Sequence, residues 1–269
     1  MSEETTLKQT ALLSSIPVLL PVIIECYAIF LQQQVEITYF SCAFLTAQLL
    51  CLVVFIKGEI CPGQRGRLMA SQSLFAIYWL CSGIIGLFGT HQVAILAMSA
   101  CGLIMTIVAL KQPKEDETLR NKRLFGGIII GLSGVAIYLW LIFTQPISNA
   151  IIYSPLAQLF IGVILANFAL LISRNRLQAF IALLPFAMSV LLLLNIISVL
   201  IFMSITTSQS AVLFTNYFAL LVYFISHLVL MAILALHIIR KIKLRYQTLV
   251  VLLFIALFLP IWSIFSYVS

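Results

Sequence analysis

Charge is the scarcest commodity in this chain. Only 9% of the 269 residues are charged, against about 25% in a soluble domain. With 63% hydrophobic residues, neither a water-soluble fold nor a disordered segment fits the composition. Aspartate occurs once, at Asp116 in a polar loop, which excludes a pair of intramembrane catalytic aspartates. The six cysteines are scattered and form no CxxC, so a disulfide-stapled secreted domain is excluded. The same spacing gives no support to zinc or iron–sulfur ligation. There is no HExxH, no phosphate-binding glycine loop and no dinucleotide fingerprint. Asn-x-Ser/Thr acceptors and lipidation signals are missing too. His91 falls in a turn, while His227 and His237 lie ten residues apart on poorly matched faces of one helix, so haem ligation is not expected. No cofactor and no metal are expected.

What is present is long apolar runs. A helix needs about 20 apolar residues to cross roughly 30 Å of hydrocarbon. Nine stretches meet that need: Ala11–Leu31, Ile37–Ile56, Leu68–Gly89, Val93–Leu110, Leu124–Phe143, Ile151–Ile172, Ala179–Phe202, Val212–Ile238 and Thr248–Val268. None alternates apolar and polar residues as barrel strands do. The first stretch has no small-residue cleavage pattern and reads as a retained helix. The expected fold class is an all-α polytopic bundle, with residues 1–269 forming one transmembrane domain and no soluble domain.

Basic residues resist translocation, so their placement in short loops sets the orientation. All fifteen fall in alternate loops: Lys8; Lys57, Arg65 and Arg67; Lys111, Lys114, Arg120, Lys122 and Arg123; Arg174 and Arg176; Arg240, Lys241, Lys243 and Arg245. The N-terminus is therefore expected in the cytoplasm and the C-terminus outside. The net charge of +7 then needs no nucleic acid; anionic lipid headgroups are the partner such loops ordinarily meet. The outer turns are Gln32–Gln34, Thr90–Gln92, Thr144–Ala150 and Met203 to about Ala211. Tyr27, Tyr39, Trp140, Tyr153, Tyr217, Trp262 and Tyr267 fall near the outer helix ends, where an interfacial aromatic belt is expected. Short loops suit a bacterial cytoplasmic (inner) membrane.

Lipid supplies no hydrophobic drive between helices, so small residues must allow close approach. Gly127 and Gly131 form a GxxxG pair, Ser82, Gly86 and Thr90 a second stripe, and Ser154, Gln158, Gly162 and Ala166 a third; these are expected packing seams. Pro17, Pro21, Pro155, Pro185 and Pro260 each remove a backbone donor within or near a span. Such interruptions are ordinary kinks in most membrane proteins and line binding sites in transporters.

Glu25 carries the sharpest functional expectation. A carboxylic acid within a span must be neutral, paired or wetted, and no Lys or Arg stands at its depth. Ser14, Pro21 and Glu25 share one face. This makes Glu25 a candidate proton or cation site, against the plainer reading of a neutral acid bonded to a neighbouring helix. Glu36 reads as a solvated helix-end acid close enough to form a two-carboxylate outer cluster. Asn216, Tyr223 and His227 recur at intervals of seven and four, and Asn195 with Ser198 lies in the outer half of the preceding span. Asn195, Asn216, Tyr223 and His227 are candidate cavity-lining residues, or else plain interhelical adhesive.

Gly131-Leu132-Ser133-Gly134 contains the GxSG string found around the nucleophile of rhomboid-type intramembrane proteases. The rest of that pattern is missing, and no family resemblance follows. Three readings are left: a small-molecule or ion permease, proton-coupled through Glu25; a non-catalytic subunit or assembly factor with a membrane-protein partner; and an intramembrane enzyme.

Overall fold

The computed structural model describes residues 2–32, 36–58, 60–113, 116–174, 177–208 and 216–267, without the side chains of 2–11, 147–148, 178, 206–208 and 267. Gln33, Gln34, Glu59, Lys114, Glu115, Arg176, the 209–215 stretch and Val268 lie outside the described residues, as do the side chains of Lys8 and Tyr267. The described residues form eleven helices and no strand: α1 (Ser2–Gln32), α2 (Ser41–Lys57), α3 (Pro62–Gly86), α4 (Gln92–Leu110), α5 (Glu117–Phe143), α6 (Ile147–Ile152), α7 (Pro155–Ile172), α8 (Gln178–Ser208), α9 (Tyr217–Ile239), α10 (Tyr246–Leu257) and α11 (Leu259–Tyr267). Eight segments are long and apolar enough to cross a membrane, α6–α7 and α10–α11 each counting as one. α2, with 17 residues, spans only about 25 Å as a helix. The buried, non-helical stretch from Ile37 to Phe40 extends it towards the outer surface.

Several boundaries move, each for a local reason. α3 starts at Pro62 rather than Leu68, because a proline in the first helical turn has no amide to waste and a pre-set φ. α8 continues through Ser208 instead of turning at Met203. α9 is described from Tyr217, with Asn216 as its N-cap rather than as part of the helix. The sixth span breaks at Tyr153-Ser154: Ser154 accepts from the Ala157 amide, and Pro155 follows as the first residue of α7. The ninth breaks at Phe258, two residues before Pro260.

α2 and α7 pack side by side at the centre. α2 also contacts α3, α4 and α5; α7 contacts α8 and α10, and α9 closes the second set against α8 and α11. α1 lies across α3, α7 and α10. Glycines set the closest approaches. A Cβ on Gly162 of α7 would stand 2.6 Å from the Ala43 carbonyl oxygen of α2. A Cβ on Gly131 of α5 would stand 2.7 Å from both Leu49 of α2 and Met105 of α4, and one on Gly127 would stand 3.0 Å from Val108. The outer faces of α8 and α9 carry exposed Leu193, Leu200, Leu221 and Leu228, a lipid-facing surface.

Contacts sort the loops into two ends. At the basic end Gln64 Nε2 donates to the Arg174 carbonyl (2.8 Å), Arg67 Nε to the Ser173 carbonyl (3.1 Å), and the Tyr246 hydroxyl to the Leu13 carbonyl (2.9 Å). At the other end Asn149 Nδ2 donates to Glu36 (2.7 Å), Gln145 bonds His91 (2.7 Å), and the Asn216 amide donates to the Ser266 carbonyl (3.4 Å). Among the described residues, these bonds join loops of one end only. A reporter active only in the cytoplasm is thus expected to work at the N-terminus, and one active only outside at the C-terminus. Two tails reporting the same compartment would remove the nine-span arrangement.

The aromatic belt needs a correction. Trp140, Tyr217 and Tyr27 are exposed, as a belt requires, but Tyr39 and Tyr153 are each 1% exposed. Their rings stack on each other inside the bundle, with centroids 4.8 Å apart. Interfacial tyrosines and buried ones look alike in a sequence; here the helix breaks at both positions turn the rings inwards.

Candidate functional site

Two interruptions of helical backbone meet in the outer half of the bundle. One is the stretch from Ile37 to Phe40 before α2; the other is Tyr153-Ser154 before α7. Non-helical backbone at membrane depth is tolerated only where protein or a wetted cavity satisfies it. Here the Tyr39 amide donates to Glu25 Oε1 at 3.0 Å, so the α1 carboxyl group does part of that work. Glu25 is 1% exposed, and its Oε2 has no hydrogen-bond partner among the described residues.

Phenols surround the acid. The Tyr78 hydroxyl stands beside the carboxyl group and also bonds the Ser41 hydroxyl at 3.3 Å. Ser41 is joined in turn to Thr38. The Tyr78 ring is pinned flat against Phe44, 3.7 Å away. The Tyr153 hydroxyl reaches Tyr39 at 3.4 Å and Gln32 at 3.2 Å. Behind it the Tyr138 hydroxyl donates to the Tyr153 carbonyl at 2.5 Å and receives Gln158 Nε2. Gln158 Oε1 accepts the Ala43 amide at 3.2 Å, which ties α7 back to the first turn of α2. Glu36 sits on the outer side, and both carboxylates lie within electrostatic reach of the Tyr39 and Tyr153 hydroxyls. Among the described residues, every Lys and Arg belongs to the segments of the basic end. A buried carboxyl group with one oxygen held by an amide, a phenol beside it, and no counter-cation among the described residues can take up a proton or, when ionised, a small cation.

A second buried cluster adjoins the first through the Tyr153-Ser154 break. The Ser154 hydroxyl donates to Asn195 Oδ1 at 2.5 Å. Asn195 Nδ2 lies 3.2 Å from the Tyr223 hydroxyl and 2.8 Å from His227 Nε2. His227 Nδ1 is 2.9 Å from the Tyr223 carbonyl, which can only accept, so Nδ1 carries the proton and Nε2 accepts from Asn195. Asn195 and His227 are fully buried. The structure therefore brings Asn195, Tyr223 and His227 together, with Glu25 across the stacked tyrosines. It does not bring Asn216 to them: Asn216 Oδ1 accepts the Ala219 amide at 3.1 Å and is spent on the cap.

Tyr78, Tyr138, Ser154 and Gln158 belong to the site but are not distinguished by sequence reasoning. Ser154 and Gln158 sit on a small-residue stripe and read as packing; a glutamine in an otherwise apolar span was the available signal. Ser133 does not meet His227. Its hydroxyl donates to the Ile130 carbonyl at 2.7 Å, with Cys101 as its other neighbour, so among the described residues no base is bonded to the GxSG serine.

A family model described as an integral membrane domain matches residues 4–265. A Haemophilus influenzae protein, described as an uncharacterized protein, is 40% identical over 266 residues, covering 98% of this chain and all of the relative. No solved structure matches the chain.

Proposed function

Because the chain belongs to this integral membrane domain family, we propose that it is a small permease of the bacterial cytoplasmic membrane, moving a small molecule or ion with a proton carried by Glu25. The supporting observation is the meeting of two interrupted spans over an unpaired buried acid. In transporters, discontinuous helices in corresponding positions direct their N-termini and loosened backbone at the transported solute. α2 and α7 both begin beside the buried cluster of Glu25, Tyr39 and Tyr153, and each opens its own set of four spans. The solvent-excluded walls keep the carboxyl group from exchanging protons freely, so a change in helix packing is needed to load and release it. Asn195, Tyr223 and His227 form the adjoining wall, where α8 and α9 meet the start of α7.

Purified protein in liposomes with a trapped pH dye tests this. Under an inward proton gradient, pooled small solutes grouped by charge are added outside. The wild type is expected to acidify the lumen faster with one pool. Glu25→Gln is expected to fall to the level of protein-free liposomes yet remain folded, since glutamine keeps an acceptor for the Tyr39 amide. Glu25→Gln moving as many protons as the wild type, or a wild type indifferent to every pool, would refute the reading.

A further inference from the structure

The face of α1 that carries Glu25 also carries Ser14, about 16 Å nearer the cytoplasm along the helix, and the permease reading gives that serine no task. Its hydroxyl bonds the Ser71 hydroxyl of α3 at 3.0 Å, and the two residues are 3% and 2% exposed. The bond uses one of the two hydroxyl protons; the other has no acceptor among the described residues. With Pro17, Phe75, Phe168 and Ile172 the pair lines a small cavity that has about 10 Å³ of room for the centre of a water molecule. A single water needs roughly 10–15 Å³ by that measure.

The cavity offers a water the partners it requires. A buried water makes about three hydrogen bonds, to groups otherwise left unsatisfied. Two come from the serines. The third is at Pro17: residue 21 is also a proline, so no amide stands there to bond the Pro17 carbonyl in the usual helical way. Pro17 has the same effect one turn earlier, where the freed Leu13 carbonyl takes the Tyr246 hydroxyl at 2.9 Å.

The cavity lies between two other polar places. On its cytoplasmic side it shares Ile172 with a surface hollow of about 460 Å³, lined by Leu13, Tyr246 and the exposed Arg174, Arg245 and Gln247. On its outer side stands Phe75, four residues after Ser71 and three before Tyr78, so the three side chains follow one another along one face of α3. The Phe75 ring meets Phe44 edge-on at 5.3 Å, and Phe44 is the ring that lies flat on Tyr78. Polar groups thus lead from the cytoplasmic surface to Glu25, with Ile172 and Phe75 set between them.

We infer that this seam of α1, α3 and α7 is the cytoplasmic exit of the Glu25 proton, with a water bound at Ser14 and Ser71 as its relay and Phe75 as its gate. The exit rests on the permease reading. When Phe75 gives way, Glu25 passes its proton to the Tyr78 oxygen as Tyr78 passes its own to the water. The water releases one proton to the hollow beyond Ile172. Glu25 is left ionised, and Tyr78 and the water regain the protons they began with.

Two measurements on the full chain in liposomes test the exit. Radiolytic hydroxyl footprinting oxidises aromatic side chains that touch a bound water, even when they are buried. Phe75 and Phe168 are expected to be labelled above Phe160, a fully buried ring on the same helix as Phe168 that does not line this cavity. The double variant Ser14→Ala with Ser71→Ala leaves the water one partner of three, and apolar cavities stay dry. Labelling of both rings should then fall to the level of Phe160, whose own protection shows that the bundle is still closed. The second measurement is the solute-driven acidification described above. The double variant should fall to the level of protein-free liposomes. Phe75→Ala should pass protons with no solute present, and adding Glu25→Gln should stop that leak. Phe75 and Phe168 labelled no more than Phe160, a double variant that acidifies like the wild type, or a Phe75→Ala variant that does not leak would each overturn the exit while the effect of Glu25→Gln alone stands. A wild type indifferent to every pool would end the permease reading and the exit with it.

Discussion

Gly162→Leu is expected to be among the most destabilising single substitutions in the chain. The Cβ alone would stand 2.6 Å from both the Ala43 carbonyl oxygen and Thr46 Cβ, closer than unbonded atoms can approach. α2 has no room to withdraw. Its other faces seat Leu45 and Leu49 against Gly134 and Gly131 of α5, and Thr46 is held by its 2.7 Å bond to the Cys42 carbonyl. Overpacking a filled core costs about 1–3 kcal/mol and occasionally more; with backbone as the obstacle, the upper end applies. Thermal unfolding in mild detergent measures it. Gly162→Ala should show a smaller loss of the same sign. Gly126→Ala, with nothing within 4 Å of the added carbon, should show none. A leucine variant that melts like the wild type would mean that α2 and α7 do not form this seam.

Asn195→Leu is expected to cost on the order of 2 kcal/mol. An interhelical hydrogen bond in a membrane protein is worth about 0.6 kcal/mol on average and at most about 1.7. Asn195 makes three at once, to Ser154, Tyr223 and His227, and its removal strands His227 Nε2 in a fully buried site. The penalty comes from that stranding as much as from the lost bond. The double variant Asn195→Leu with His227→Leu should therefore lose clearly less stability than the two single losses combined. Strict additivity in the melting data would show that the two side chains do not depend on each other. The cluster also explains how the second set of helices holds its register: α8 and α9 offer lipid much of their surface, and this polar contact fixes their angular position against α7.

The difference between these two sites shows what the sequence carries. Gly162 is legible as a packing residue because a glycine on a small-residue stripe has few other uses in a span. Its partners are not legible, since Ala43 and Thr46 are unremarkable residues of an apolar helix. Asn195, Tyr223 and His227 can be nominated because polar groups in hydrocarbon are costly and few. Asn216 has the same helical spacing and a different task, since it stands before the first turn of α9, where a side-chain oxygen serves the backbone.

The all-helical membrane class, the approximate number of spans and their direction were determined by the chain alone. These are responses of single segments to the bilayer: oil rejects charge wherever it occurs, and cations stay on the side where they were made. Which helices touch was decided only by the tertiary structure. A leucine facing lipid and one facing protein satisfy the same solvent, so apolar periodicity says little about partners. Tyr39 and Tyr153 became core rather than belt, and the Tyr153-Ser154 break joined the Asn195 cluster to the buried tyrosines around Glu25, because two interrupted backbones needed each other's side chains once α2 and α7 had closed upon Gly162.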